Sequence, residues 1–149
     1  MKIYTSYKPR YDYLIGSIVK VRFADINAPE LGIPRGELAK EVLKKLIDYY
    51  HVFLDIDDKY VYDRYGRIIA VVYLPLNETI ALNVNLWLVK EGYAELRDYP
   101  NEFNPNTWRL YITLSTITTP FIENEMARYY RTTITGIIML VLALSLIHI

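Results

Sequence analysis

The stretch Val21-Arg22-Phe23-Ala24-Asp25-Ile26-Asn27-Ala28-Pro29-Glu30 reads as a buried strand that ends abruptly in a polar turn. Ile18, Val19, Val21 and Phe23 are strand formers, and Gly16-Ser17 ahead of them is a turn signal. Side chains alternate along a strand, so Lys20 and Arg22 share one face. Pro29 pushes Ala28 out of helical geometry and fixes the approach to Glu30. Further along, Tyr62-Asp63-Arg64-Tyr65-Gly66-Arg67 turns at Tyr65-Gly66 and feeds a strand over Ile68 to Leu74, a hairpin pattern. The two stretches supply two arginines, Arg22 and Arg67, the carboxylate of Glu30 and the amide of Asn27. If these converge, the set suits a phosphodiester, because a guanidinium offers phosphate oxygens a planar fork of donors and keeps its charge. Taken alone, Arg22 reads instead as half of a strand-edge salt bridge to Asp25 or Glu30.

Between the two stretches, a helical pattern opens at Gly36, with Leu38, Val42 and Leu46 on one stripe and Ala39, Leu43 and Ile47 beside it. Glu41 and Lys45 form an i,i+4 pair on its solvent side. Val52 to Asp57 alternates toward its end, as a strand with one wet face does. The acidic run Asp55, Asp57, Asp58 lacks the glycine and the closing glutamate of a calcium loop. A second helix is expected from an Asn83 N-cap to Gly92, with an irregular covering segment from Arg97 to Trp108.

The 149 residues suffice for one domain with a real core. Seventeen basic residues balance 17 acidic ones, so affinity for phosphate has to be local rather than global. The absence of cysteine excludes disulfides and thiolate metal sites, and two histidines, His51 and His148, argue against histidine-bound zinc. The 15 tyrosines read mostly as strand and interface packing, with base stacking the sharper alternative; Tyr65 and Tyr99 are candidates for it.

From Ile134 the chain is apolar to its end. As a helix this run would span roughly 24 Å, short of the ~30 Å hydrocarbon core. It is expected to be a C-terminal membrane anchor. Leu144 to Ile149 matches what a sequencing-library transposon end encodes, so the natural anchor is expected to continue differently. The expected organisation is a domain over residues 1–105, a connecting segment over 106–133 and the anchor over 134–149. Arg128 and Arg131 precede the tail, a weak cytoplasmic bias, and the expectation is nonetheless an extracytoplasmic domain.

Val21 to Glu30 resembles the V-R-L-x-G-I-D-A-P-E element of the thermonuclease family, that of staphylococcal nuclease. Tyr62 to Arg67 resembles its T-D-K-Y-G-R element, and Val84-Asn85, Leu88 and Gly92-Tyr93-Ala94 resemble its V-N-x-x-L-x-x-x-G-x-A helix. The resemblance covers about Ser17 to Pro105, and Ala24 to Glu30 is most similar to archaeal members. It implies an α+β fold, an OB-type β-barrel with helices packed on it, to which the apolar tail is expected to add a C-terminal transmembrane helix. It also implies calcium-dependent hydrolysis of DNA and RNA. By resemblance Arg22 and Arg67 hold the scissile phosphate and Glu30 activates or orients the attacking water. Arg64 and Tyr65 contact substrate phosphate. Asn27 stands where the family has a calcium-binding aspartate, and Ala28 where a backbone carbonyl completes the metal shell.

Two departures stand out. The family's D-G-D-T metal motif is due a dozen or more residues before Arg22, and nothing in Met1 to Gly16 matches it; Asp12 is the only carboxylate there. Asn27 brings an oxygen but no charge. A gene fragment that has lost its upstream motif is expected. The alternative is a catalytically impaired OB-fold module that binds nucleic acid or protein.

Overall fold

The computed structural model describes residues 1–116 and the backbone of residues 146–148. The strands are β1 (Lys2–Ile3), β2 (Val21–Phe23), β3 (Ile26–Asn27), β4 (His51–Ile56), β5 (Ile68–Pro75), β6 (Ile80–Asn83), β7 (Glu95–Leu96), β8 (Tyr111–Thr113) and β9 (Leu146–His148). The helices are α1 (Pro34–Ile47) and α2 (Val84–Lys90). The main sheet runs β1-β9-β4-β5-β6-β8, and β3 pairs with β7 apart from it.

β5 organises the sheet. Along one edge it pairs antiparallel with β4, from Ile56 opposite Ala70 to Phe53 opposite Tyr73. The other edge is shared. Ile68 to Ala70 pair in parallel with Val21 to Phe23, and Tyr73 to Pro75 pair antiparallel with Asn83 to Ala81. One strand that changes partner midway curls the sheet, and with the helices this gives an α+β fold of OB type. Ile68, Ala70, Val72 and Leu74 on β5 share the core with Val52, Leu54 and Ile56 of β4 and with Val84 and Leu88 of α2. Asn85 is fully buried: its Oδ1 accepts the Val72 N–H at 3.0 Å, and its Nδ2 donates to the Ala24 carbonyl at 2.9 Å.

α2 begins as expected, with the Asn83 side chain accepting the Leu86 N–H at 3.0 Å. α1 starts at Pro34, ahead of Gly36, because proline loses nothing at a first helical turn. Its buried positions are Gly36, Ala39 and Ile47, with Leu43 packed on the core, so Leu38 is exposed. The helix rolls this way because Gly36 lies against the Pro29-Glu30 backbone; a Cβ there would stand 2.0 Å from the Glu30 carbonyl oxygen.

β4 has no wet face. Asp57, beyond its end, is fully buried because its carboxylate accepts the N–H groups of Lys59, Tyr60 and Glu102. Asp58 meets Lys8 at 2.8 Å and the Tyr11 hydroxyl at 2.5 Å, so Asp57 and Asp58 are spent on anchoring backbone and the N-terminal segment. β8 joins the main sheet through β6, so the sheet continues past residue 105.

The expected anchor, residues 134–149, lies outside the described residues except for Leu146–His148. Those three form a strand beside β4 rather than the expected helix. No helix among the described residues is long and apolar enough to cross a membrane.

Candidate phosphate-binding cleft

The parallel β2–β5 pairing sets Arg22 opposite Ile69, two residues from Arg67. A cleft of about 520 Å³ opens there, and Arg22, Arg64, Tyr65 and Arg67 all line it. Asp25, Tyr60, Tyr62, Tyr99 and Asn101 complete its chemistry.

Arg22 pairs with neither Asp25 nor Glu30. One terminal nitrogen donates to its neighbour's carbonyl, Phe23 O, at 2.8 Å, and the guanidinium carbon lies 5.7 Å from the Tyr99 ring centroid. Arg67 is held at Nε by Asp63 Oδ2, 2.7 Å away. Tyr65, one candidate for base stacking, carries cations on its ring. Arg64 and Arg67 lie 4.8 and 5.4 Å from its ring centroid, and Arg64 also donates to its hydroxyl at 2.7 Å.

Asp25 joins the floor of the cleft. Its φ is +53°, a left-handed conformation that aspartate tolerates better than most residues. It stands where the resembling element has glycine, and that departure is the sequence signal for a site residue that motif matching passes over. One carboxylate oxygen accepts the Tyr99 N–H at 2.9 Å and the Asn101 side-chain amide at 2.6 Å, pinning the 97–101 segment over the cleft. The other is buried with no hydrogen-bond partner among the described residues. Burial raises its pKa, and the two donors only partly offset this. Tyr60 and Asn101 had no distinguishing mark in the sequence; only the fold brings them here.

Asn27 and Ala28 do not face this cleft. They line a second one of about 270 Å³ with Pro29, Arg35, Tyr93 and Glu95, because β3 leaves the main sheet to pair with β7. Glu30 is exposed, lines neither cleft, and its carboxylate has no partner among the described residues. Calcium takes about six to eight oxygens, several of them anionic. Asn27, Ala28 and Glu30 offer an amide, a carbonyl and one carboxylate. Among the described residues no three His, Cys, Asp or Glu side chains cluster to hold a metal. These residues do not by themselves fit a calcium site.

The family model described as Staphylococcal nuclease homologue matches residues 20–113. The chain is 40% identical over 80 residues to the micrococcal nuclease of Shigella flexneri, across 51% of this chain and 44% of that protein. It is 40% identical over 76 residues to a protein described as an uncharacterized endonuclease of Haemophilus influenzae, across 51% of this chain and 38% of that protein. It is also 37% identical over 82 residues to Protein ParB of Escherichia coli, across 51% and 44%. The chain thus spans less than half the length of these curated relatives. With the model matching most of the chain, and the arginine-bearing strand and turn both inside the match, the chain belongs to the family of staphylococcal nuclease homologues.

Proposed function

We propose that the chain binds a nucleic-acid strand in the Arg22–Arg64–Arg67 cleft and hydrolyses its phosphodiester bonds. One observation carries this: three guanidiniums gather with four tyrosines around a single cleft, and Arg22 and Arg64 have no ion-pair partner among the described residues. Paired guanidiniums match phosphate oxygens and stabilise charge that builds up at phosphorus during attack. Tyrosine faces beside them suit unpaired bases. Arg22 and Arg67 hold the scissile phosphate, Arg64 and Tyr65 support a phosphate of the same strand, and Glu30 takes a proton from the attacking water. The role of Glu30 rests on family membership and on the resemblance of the Asn27 to Glu30 segment. No step is assigned to calcium. The same proposal anchors the domain to a membrane through residues 134–149, which requires the Leu146–His148 strand to leave the sheet, and faces the domain away from the cytoplasm.

The placement of Asn27, Ala28 and Glu30 apart from the arginines favours a second reading, a module that binds nucleic acid without cutting it. The test is incubation of the full-length chain with single-stranded DNA and RNA, in calcium and in chelator, beside Glu30→Gln. Cleavage lost in Glu30→Gln supports the hydrolase. Binding without cleavage under any condition supports the module.

A further inference from the structure

One carboxylate is used twice in the turn before β5. Asp63 Oδ1 accepts the N–H groups of Tyr65 and Arg67, both at 2.9 Å. Oδ2 accepts Arg67 Nε at 2.7 Å. The main chain closes the same turn: the Asp63 N–H donates to the Arg67 carbonyl at 2.9 Å, and the Gly66 N–H to the Asp63 carbonyl at 3.0 Å. Gly66 takes φ +74°, which costs glycine nothing. Partial burial works against ionisation of Asp63. The N–H groups and the guanidinium outweigh it, and the carboxyl titrates below its usual range.

Oδ1 therefore shapes the turn, while Oδ2 grips a side chain. A guanidinium gripped at Nε keeps its terminal nitrogens as a planar fork. Neither terminal nitrogen of Arg67 has a partner among the described residues. The Tyr65 ring against the same guanidinium restricts its rotation further. We propose that Asp63 is a positioning residue for phosphate binding: by holding Nε it presents the terminal nitrogens of Arg67 to a phosphate in the cleft. This rests on the nucleic-acid assignment above.

Charge alone argues for the opposite effect. A carboxylate beside a phosphate site repels the ligand, so its neutralisation ought to tighten binding. The sign of the change separates positioning from charge. Asp63→Asn is the discriminating variant, because asparagine still offers Oδ1 to the turn but turns an amide donor toward the Nε–H.

The experiment measures binding of a fluorescein-labelled oligothymidylate to the full-length chain by anisotropy, in chelator, with a thermal melt of each variant. Asp63→Asn is expected to bind about tenfold more weakly, the scale of one charge-assisted hydrogen bond, with a melting temperature near that of the unsubstituted chain. Arg67→Ala is expected to weaken binding similarly, and the double variant to be no weaker than Arg67→Ala alone. In ¹H–¹⁵N spectra the Arg67 Nε–H is expected to exchange slowly in the unsubstituted chain and fast in Asp63→Asn.

Unchanged or tighter binding by Asp63→Asn, where Arg67→Ala binds weakly, overturns the proposal, as do additive losses in the double variant. If Asp63→Asn fails to fold, Arg67→Lys decides: it keeps the charge but loses the gripped fork, and binding as tight as the unsubstituted chain's overturns the proposal. An unsubstituted chain that binds no oligonucleotide overturns the nucleic-acid assignment and this proposal with it. The Nε–H exchange distinguishes that outcome from a failure of Asp63 to hold Arg67.

Discussion

The guanidinium of Arg22 lies over the ring of Tyr99, 5.7 Å from its centroid, and that tyrosine's own N–H is bound to Asp25, three residues after Arg22. The strand and its covering segment thus fix each other. A cation over an exposed aromatic ring gains roughly 0.5–1 kcal/mol. Tyr99→Leu is expected to weaken oligonucleotide binding about threefold, and Tyr99→Phe to leave it nearly unchanged, both read by anisotropy.

Asp25 separates backbone strain from side-chain tethering. Asp25→Gly loses both tethers but suits the +53° φ, whereas Asp25→Ala loses the tethers and pays for a left-handed alanine. Chemical denaturation is expected to find the glycine variant more stable than the alanine variant by about 1 kcal/mol. Equal stabilities would show that the backbone relaxes there.

Asn85 joins the end of β2 to β5 and α2 beneath the cleft. Replacing it with alanine strands the Val72 N–H and the Ala24 carbonyl in the core. A loss of about 3 kcal/mol is expected, seen as a melting-temperature drop on the order of 10 °C or more.

Asp55 gives stability a pH dependence. Burial, and then the negative charges of Glu102, Asp58 and Asp57, push its pKa up to about 6, against the pull of Lys8. Below about pH 4 the group is protonated in both folded and unfolded states and imposes no penalty. Between there and about pH 6 the unfolded chain ionises first, so stability falls as pH rises; above that the penalty is complete. Asp55→Asn is expected to melt higher than the unsubstituted chain at pH 8, with the gap closing toward pH 4. A gap independent of pH would remove Asp55 as the cause.

Much of this was legible in the sequence, because local chemistry specifies it. Asn83 caps α2 as an N-cap must, and Pro29 and Gly66 mark the turns that follow β3 and precede β5. Arg22, Arg64, Tyr65 and Arg67 do meet in one cleft. What was not legible depends on contacts between distant segments. Asn27 faces another cleft because β3 chooses β7 as its partner, and Leu38 is exposed because the Glu30 carbonyl fixes how α1 rolls. The cations over the Tyr65 ring were not legible either, because only the folded turn brings Arg64 and Arg67 against it.

The shared edge of β5 has a kinetic consequence. Arg22 and Arg67 become neighbours only when two strands far apart in sequence pair in parallel, and such pairings are slow to form because a long loop must close first. No local fragment of the chain holds both arginines in place. On the proposed function, affinity for phosphate is therefore a late property of refolding. It should return with the slowest structural phase rather than with early helix formation, so a phosphate-bearing ligand becomes a stopwatch for native register.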